Sequence, residues 1–301
     1  NLILYKPDKI VLIDHKPHPL DFFKRLHKAW TDEDFPEVYI HIFGDFALFT
    51  QEWLHIRSVL QERKVHFLCA SKRQLAFVRQ FIPEENTSLC PFPVDQEAFS
   101  YNPELRAYWR DHLNLKNQKA VLYTGRLSLQ KNITLLLQHF DQFFPHDCEL
   151  FLAGNFDDIG APYFGIVFND GHYFQACEAV LKQLRPETQK RIHFLGPLSH
   201  TELNGLYNAV DLFYSLSLHN DEDFGMSPIE GLFTGLPALI TDWGGYASFS
   251  LDEYAQVLPV DFSDDGLTIA TDQLTQQIDR GFKLPRKELP HYINSFSIFM
   301  N

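Results

Sequence analysis

Short apolar runs and stretches with helical spacing of apolar residues alternate along most of this chain of 301 residues. Runs such as Lys9–Asp14, Val65–Cys69 and Ala120–Thr124 have the length and composition of buried strands. Alternation of this kind is typical of parallel sheets covered by helices, because consecutive parallel strands need a crossover connection between them. The sequence therefore predicts the α/β class.

The predicted elements form two groups. In the first, strands are predicted at Lys9–Asp14, Val38–Phe43, Val65–Cys69 and Thr87–Pro91, and helices at Leu20–Trp30, Leu48–Glu62 and Lys72–Phe81. In the second, strands are predicted at Ala120–Thr124, Glu149–Ala153, Ile192–Leu195, Leu212–Ser215, Ala238–Thr241 and Gln256–Val260, and helices at Ile133–Phe144, Tyr173–Leu184, Thr201–Ala209, Pro228–Phe233 and Leu267–Phe282.

A proline-flanked segment, Pro91–Asp95, and the polar stretch 100–118 separate the two groups. Such a break is where a linker is expected, and single cores stop growing near roughly 250–300 residues. We predict a short or truncated N-terminal domain over 1–100, a linker region over 101–118, a second domain over 119–285, and a C-terminal segment over 286–301 that returns toward the first domain.

Charge and composition exclude some classes of function. Residues 1–118 hold 15 of the 26 basic and 16 of the 39 acidic side chains, so nearly all of the net charge of −13 lies in the second part. We expect no nucleic-acid partner, because phosphate backbones require clustered positive charge. The four cysteines lack metal-site spacing and are predicted to be buried thiols, which favours a cytoplasmic location. Peripheral membrane contact through the first domain stays open.

Polar and glycine residues follow several predicted strands of the second domain. The pairs Gly125-Arg126, Gly154-Asn155 and Leu195-Gly196 each lie at a strand end, and residues 222–230 connect a strand to a helix. Ligands of parallel α/β sheets bind beyond the carboxyl ends of the strands, so these residues can converge on one ligand. Glycines in such loops also serve ordinary tight turns.

Two glutamates, Glu222 and Glu230, flank the start of a predicted helix. Backbone N–H groups at a helix start attract phosphate, and carboxylates can accept hydrogen bonds from sugar hydroxyls. The alternative is structural, because Ser227-Pro228-Ile229-Glu230 also has the pattern of a helix capping box. A second capping box is predicted at Ser199–Glu202.

The run Glu222–Glu230 resembles the E-x7-E signature of retaining glycosyltransferases of the GT-B fold, in particular family 4. Four further segments agree with that family in order: Val121–Leu127 with Gln130-Lys131-Asn132, Leu150–Gly154, Ile192–Gly196 and Asp242–Gly245. The resemblance covers residues 119 to 245. It implies two Rossmann-like domains with a cleft between them, and a hexose-type sugar transferred from a nucleoside diphosphate with retention of its anomeric configuration.

The resemblance also implies roles for residues of this chain. Arg126 and Lys131 would hold the diphosphate, Glu222 the donor sugar and Glu230 the ribose. The further residues expected around the donor are Gly125, Asn155, Leu195, Phe224, Gly225, Met226 and Ser227. Whether the acceptor attacks from the face that the nucleotide leaves or a covalent intermediate forms is left open. For Arg126 a structural ion pair is the alternative, and for Lys131 a solvated helix start.

No metal and no cofactor are expected besides the nucleotide sugar as co-substrate. The run Asp221-Glu222-Asp223 contains the Asp-x-Asp pattern that binds a metal in the other glycosyltransferase fold. Its position inside the E-x7-E run argues against that use.

The first domain offers weaker signals. His15 and His18 follow one predicted strand, and His41 and Asp45 lie within and after the next, so all four could border a site for the sugar acceptor. His41 alternates with apolar neighbours, which favours a buried strand histidine with a satisfied hydrogen bond. The sugar acceptor, whether glycan, lipid or protein, and the oligomeric state are not determined by these residues.

Other functions compete with the transferase. Users of the same fold include phosphorylase-like and epimerase-like enzymes, although no lysine here has the context of a pyridoxal site. A non-catalytic subunit that binds a nucleotide sugar or serves as a scaffold in a glycosyltransferase complex is the alternative from a different class. Turnover of a nucleotide sugar separates these functions.

Overall fold

A computed structural model of the chain describes residues 7–14, 24–25, 28, 35–42, 51–52, 54–55, 65–157, 171–218, 222–249, 254–264 and 266–286. The described residues of 1–92 together with 222–224 form one compact unit. The described residues of 93–218 and 225–286 form a second unit.

The first unit contains a four-stranded parallel sheet in the order β1-β2-β3-β4. Its core lies on this sheet, where apolar side chains of β2 and β3 such as Ile40 and Phe67 are buried. Residues 24–25, 28, 51–52 and 54–55 are helical and fall within the two predicted helices. The strands are β1 (Lys9–Asp14), β2 (Glu37–Ile42), β3 (Val65–Cys69) and β4 (Thr87–Leu89), and the helix α1 is Lys72–Val78.

The second unit contains a six-stranded parallel sheet in the order β10-β9-β8-β5-β6-β7. These strands are β5 (Lys119–Thr124), β6 (Cys148–Ala153), β7 (Ile192–Gly196), β8 (Leu212–Ser215), β9 (Ala238–Thr241) and β10 (Ala255–Leu258). The helices are α2 (Pro103–His112), α3 (Ile133–Phe143), α4 (His172–Gln183), α5 (Pro186–Gln189), α6 (His200–Ala209), α7 (Met226–Phe233) and α8 (Leu274–Lys283). An antiparallel hairpin, β11 (Val260–Ser263) and β12 (Gly266–Ile269), lies outside the sheet.

The order of the strands places β5 and β8 side by side in the middle of this sheet, although four helices and two strands separate them along the chain. The chain therefore reverses its direction of winding between β7 and β8, and β5 and β8 flank the switch point. Loops that follow these two strands are the expected place for a ligand. Of the residues predicted to form the donor site, Gly125 and Arg126 directly follow β5, and residues 222–230 follow β8 along the chain.

The α/β class and the parallel sheets are confirmed, but part of the last predicted helix is wrong. The stretch 267–282 was expected to be one helix, whereas its first residues form β12 and only 274–283 are helical. Gly266 has a φ of +108°, which allows the chain to turn back from Ser263 and pair β12 with β11. The capping box at Ser199 and Glu202 is confirmed, with both reciprocal hydrogen bonds present.

Within the polar stretch 100–118 the structure has a helix, α2, which the sequence pattern does not predict. None of its residues is fully buried, so its apolar stripe is weak. Hydrogen bonds and ion pairs from charged side chains fix its position instead. The guanidinium groups of Arg106 and Arg110 donate to carbonyls at the C-terminal end of α6 and to Asp211, with Arg106 Nη2 at 2.6 Å from Asp211 Oδ1. Cations at a helix C-terminus are stabilising.

Three of the four cysteines, Cys69, Cys148 and Cys177, are buried free thiols, and Cys90 is partly buried. Burial raises the pKa of Cys69 and of Cys177 to about 12. The predicted thiol state is therefore consistent with their surroundings, whereas the cytoplasmic location stays a prediction. Across the described residues, none of the helices is both long and apolar enough to cross a bilayer.

A close contact between α2 and α6 gives a test of this packing. A Cβ atom added at Gly205 of α6 would lie 2.0 Å from Trp109 Nε1 of α2. We expect Gly205→Ala to lower the free energy of unfolding by about 1–3 kcal/mol, because overpacking forces the two helices apart. Urea denaturation measures this. In a double-mutant cycle, Trp109→Leu should recover part of the loss by freeing the space. An unchanged midpoint for Gly205→Ala alone would contradict the contact.

Candidate functional site

The loops that follow β5, β6 and β7 lie side by side. The N–H of Gly125 donates to the Ala153 carbonyl at 3.0 Å, and the N–H of Gly154 donates to the Gly196 carbonyl at 2.8 Å. A Cβ at Gly154 would lie 1.9 Å from the Gly125 oxygen, and Gly154 has a φ of +144°. A side chain would therefore separate the first two loops. The expected convergence of these three strand ends is observed.

Arg126 follows Gly125 and makes an ion pair. Its Nη1 lies 2.9 Å from Asp157 Oδ2, while 48% of the Arg126 side chain stays exposed. The Arg126 carbonyl accepts a hydrogen bond of 2.9 Å from Tyr123 Oη, which fixes the loop on β5. The structural alternative raised for Arg126 is thus present in this state. It does not exclude ligand binding, because a guanidinium has five donors and can bind a second anion. Asn155, in the neighbouring loop, is exposed.

Lys131 lies in a short 3-10 turn, Leu129–Lys131, immediately before α3. The turn ends at Asn132, which adopts the left-handed conformation with a φ of 59° and is the N-cap residue of α3. The Gln130 carbonyl accepts from the N–H of Leu218, so the turn is tied to the segment that follows β8. Lys131 is partly buried and lies close to a helix start, where its charge opposes the helix dipole.

The predicted capping box at Ser227 and Glu230 is wrong. Helix α7 begins at Met226, and its N-cap residue is Gly225 in the left-handed region with a φ of 94°. A Cβ at Gly225 would lie 2.5 Å from Cε1 of Tyr246, so only glycine fits against this ring. No side chain within the described part of the chain caps α7. Its first N–H groups are the kind of donor that binds phosphate.

The start of α7 lies next to the loop after β5. A Cβ at Gly125 would be 3.8 Å from Ser227 Oγ. Met226, which precedes Ser227, is 37% exposed. Three of the predicted donor-site segments, the β5 loop, the β6 loop and the α7 N-terminus, are therefore brought together within the second unit.

Glu230 is held from one side by a buried tyrosine. Tyr207 Oη donates to Glu230 Oε2 at 2.9 Å, and Tyr207 Oη also lies 2.6 Å from Thr124 Oγ1. Burial raises the pKa of Glu230 above its ordinary value, although the hydrogen bond from Tyr207 and the nearby His200 act in the opposite direction. The carboxylate therefore costs stability in its ionised form. Such a cost is common where a residue is retained for a ligand.

Glu222 and Phe224 pack with the first unit, whereas Gly225 and the rest of α7 belong to the second. Glu222 is 8% exposed. The ring of Phe224 contacts the ring of Phe92 edge to face at 5.9 Å between centroids. The E-x7-E run thus spans both units. Glu230 belongs to the same unit as Gly125 and Arg126, whereas Glu222 belongs to the first unit. Leu195, at the end of β7, is partly buried.

The predicted sugar-acceptor residues of the first unit are described only at His41. Its Nε2 donates to the Cys90 carbonyl at 2.6 Å, and its ring contacts Phe92 edge to face. Burial lowers the pKa of His41, which favours the neutral ring. These contacts agree with a buried strand histidine. His15, His18 and Asp45 lie outside the described residues.

Three residues that take part in this arrangement were missed at the sequence level. Asp157 pairs with Arg126, while Tyr207 and Thr124 hold Glu230 and the end of β5 together. Thr124 is the last residue of a predicted strand, which is the one available signal. Tyr207 has the pattern of an ordinary core residue of a helix, so its role is visible only from tertiary contacts.

A model of the protein family described as glycosyl transferases group 1 matches residues 106–279. An uncharacterized glycosyltransferase from Methanocaldococcus jannaschii is 22% identical over 224 residues, which is 70% of this chain and 52% of that protein. A lipopolysaccharide 1,2-N-acetylglucosaminetransferase from Salmonella typhimurium is 26% identical over 194 residues, or 64% of this chain and 48% of that protein. The chain spans about half the length of these curated relatives.

Solved structures show the same fold. The crystal structure of HepE from Anabaena in complex with UDP-glucose superimposes with a TM-score of 0.66 and 17% identity, covering 91% of this chain and 69% of HepE. A sucrose-phosphate synthase from Thermosynechococcus elongatus superimposes with a TM-score of 0.67 and 18% identity, covering 93% of this chain and 65% of that one.

The raised pKa of Glu230 gives a prediction about stability. Glu230 ionises at a lower pH in the unfolded state than in the folded state. The loss of folding stability caused by its ionisation is therefore absent in acid and grows as pH rises. We expect Glu230→Gln to be at least as stable as wild type at neutral pH. The difference should vanish below the ordinary glutamate pKa of 4.5. Urea denaturation between about pH 4 and pH 8 measures it.

Glu202 provides a control of opposite sign. Hydrogen bonds from Ser199 lower the pKa of Glu202, so its carboxylate stabilises the folded state above the ordinary glutamate pKa. Glu202→Gln should therefore be no more stable than wild type at neutral pH. A marked loss of stability for Glu230→Gln at neutral pH would show that the carboxylate serves the fold.

Proposed function

The chain belongs to the group 1 glycosyl transferases, and from this membership we propose that it moves a hexose-type sugar from a nucleoside diphosphate to a sugar acceptor with retention of configuration. The predicted GT-B fold is confirmed by the solved structures that share it. The proposal covers the donor class, the acceptor and the stereochemistry. It is carried by one observation, the meeting of the Gly125-Arg126 loop with the start of α7, which no side chain of the described residues caps.

The negative charge that develops on the leaving diphosphate decides what such a site must contain. A fixed cation near that charge stabilises the transition state more than the ground state. Arg126 is half exposed beside the α7 start region, and Lys131 lies before α3. We assign both to the diphosphate, with the N–H groups of Gly225, Met226 and Ser227 as further donors.

We assign the two carboxylates as hydrogen-bond acceptors for the hydroxyl groups of the donor. Glu230, partly buried beside Tyr207, is assigned to the ribose, and Glu222 to the transferred sugar. Among similar proteins, HepE binds UDP-glucose, which supports a uridine nucleotide as the first donor to test. The named relatives include a lipopolysaccharide transferase, which supports a glycan or lipid-linked glycan as the acceptor.

A panel of nucleotide sugars tests the proposal directly. A true donor should raise the melting temperature, because a ligand of the native state stabilises it by mass action, and it should be hydrolysed or transferred. Binding without hydrolysis or transfer to a broad acceptor panel would favour the non-catalytic scaffold. If no nucleotide sugar binds, the proposed donor site is wrong.

Substitution of the two cations is the sharper test. Arg126→Ala and Lys131→Ala should each lower turnover by roughly two to three orders of magnitude, the cost of losing one transition-state donor. Initial rates with the donor found in the panel measure this.

Arg185→Ala is a matched control for Arg126→Ala. Arg185 pairs with Asp141 at 2.9 Å and is 41% exposed, as Arg126 pairs with Asp157 at 2.9 Å, but it lies outside the site. The control should retain turnover. If Arg126→Ala loses only stability and keeps wild-type turnover, its ion pair with Asp157 is its whole role.

We further predict that the reaction needs no divalent metal, because two cationic side chains and a helix start supply the positive charge at the diphosphate. Initial rates in excess chelator should equal those in untreated enzyme. Complete loss that added metal reverses would point to Asp221 and Asp223 as metal ligands and reject this assignment.

A further inference from the structure

The hydroxyl of Tyr207 lies among three oxygen atoms in the interior of the second unit. Tyr207 is fully buried, and its Oη lies 2.6 Å from Thr124 Oγ1, 2.9 Å from Glu230 Oε2 and 3.0 Å from the Ser227 carbonyl oxygen. Thr124 ends β5 directly before Gly125, and Ser227 lies in the first turn of α7. One hydroxyl therefore joins the two segments that form the proposed diphosphate site.

The direction of these hydrogen bonds follows from the available protons. A phenol has one proton to donate, and a carboxylate is a stronger acceptor than a carbonyl. Tyr207 thus donates to Glu230, while the Thr124 hydroxyl can donate to Tyr207. Burial and the negative charge of Glu230 raise the pKa of Tyr207 well above its usual value, so the phenol keeps its proton.

The ring of Tyr207 is held in place by its neighbours. A Cβ at Gly231 would lie 3.4 Å from the ring, and Phe99 contacts the ring edge to face at 5.8 Å. The Tyr207 carbonyl accepts from Arg286 Nη2 at 2.9 Å. The position of the ring is therefore set by packing, and the contact with Thr124 Oγ1 fixes the hydroxyl at its end.

We propose that Tyr207 is a positioning residue, which holds Oε2 of Glu230 and leaves Oε1 to accept hydrogen bonds from the ribose of the donor. Among the described residues, Oε1 of Glu230 has no hydrogen-bond partner. This inference rests on the proposed function, because it takes a nucleotide as the ligand of Glu230. Tyr207 itself does not touch the substrate.

Removal of the hydroxyl tests this role. Tyr207→Phe should weaken binding of free UDP or GDP, whichever the wild type binds, by about tenfold or more, as expected for loss of a hydrogen bond to a charged group. It should raise KM for the donor more than it lowers kcat, because the ribose is remote from the reacting carbon. Isothermal titration and initial rates measure the two effects.

Tyr214→Phe is the matched control. Tyr214 is also fully buried, and its hydroxyl bonds to His139 Nδ1 at 2.8 Å, away from the donor residues. Both variants remove one fully buried phenol hydroxyl, so Tyr214→Phe shows how far the loss of such a hydroxyl away from the site lowers affinity. We expect only Tyr207→Phe to bind the nucleotide more weakly.

The pH dependence of binding separates positioning from a merely structural role. The bond from Tyr207 lowers the pKa of Glu230, so Tyr207→Phe should move the acidic limb of nucleotide affinity to higher pH. Tyr214→Phe should leave that limb in place. Unchanged affinity and an unchanged limb for Tyr207→Phe would reject the inference while the donor site stands. If the wild type binds neither nucleotide, the proposed function fails and the inference falls with it.

A second pair of variants covers the case in which Tyr207→Phe does not fold. Thr124→Val removes the hydroxyl that fixes Tyr207 Oη, while Thr124→Ser keeps it. Thr124→Val should weaken nucleotide binding, whereas Thr124→Ser should keep the affinity of the wild type. Equal affinity for the valine and serine variants would overturn the proposed network.

Discussion

The close approach of two backbones, at Gly125 and Gly154, is the contact on which the proposed site depends. A Cβ at Gly154 would meet the Gly125 oxygen at 1.9 Å, so any side chain there would push apart the loops after β5 and β6. The position of Arg126 and its ion pair with Asp157 follow from this approach. The parallel sheet brings the strand ends to one edge, and the glycines allow their loops to meet.

Two features of the proposed site, the Glu230 carboxylate and the start of α7, are not explained by the stability of the fold. Burial raises the pKa of Glu230, so its ionised form weakens the fold at neutral pH. The start of α7 has no side-chain cap among the described residues. Its N-cap residue is Gly225, and the ring of Tyr246 leaves no room for a side chain at that position. An anionic nucleotide would relieve both features, because its hydroxyls can donate to the carboxylate and its phosphates can accept from the helix start.

Errors of the sequence-based prediction occurred where tertiary contacts replaced local signals. Helix α2 has no buried stripe and is held by the contacts of Arg106 and Arg110 with the end of α6, which no periodicity shows. The expected capping box at Ser227 failed because packing at Gly225 moves the helix start upstream. At residues 267–282, a glycine turn converts the beginning of an apparent helix into a hairpin strand.

The sequence by itself determined the α/β class, the positions along the chain of ten of the twelve strands in the described residues, and the loops that hold the proposed donor residues. It could do so because apolar periodicity is local and parallel strands end at one edge of a sheet. Only the tertiary structure decided that Arg126 pairs with Asp157, that Glu230 is bound by Tyr207, and that residues 222–224 pack with the first unit. Those facts join residues distant in the chain, and the packing that makes them leaves no pattern in the sequence.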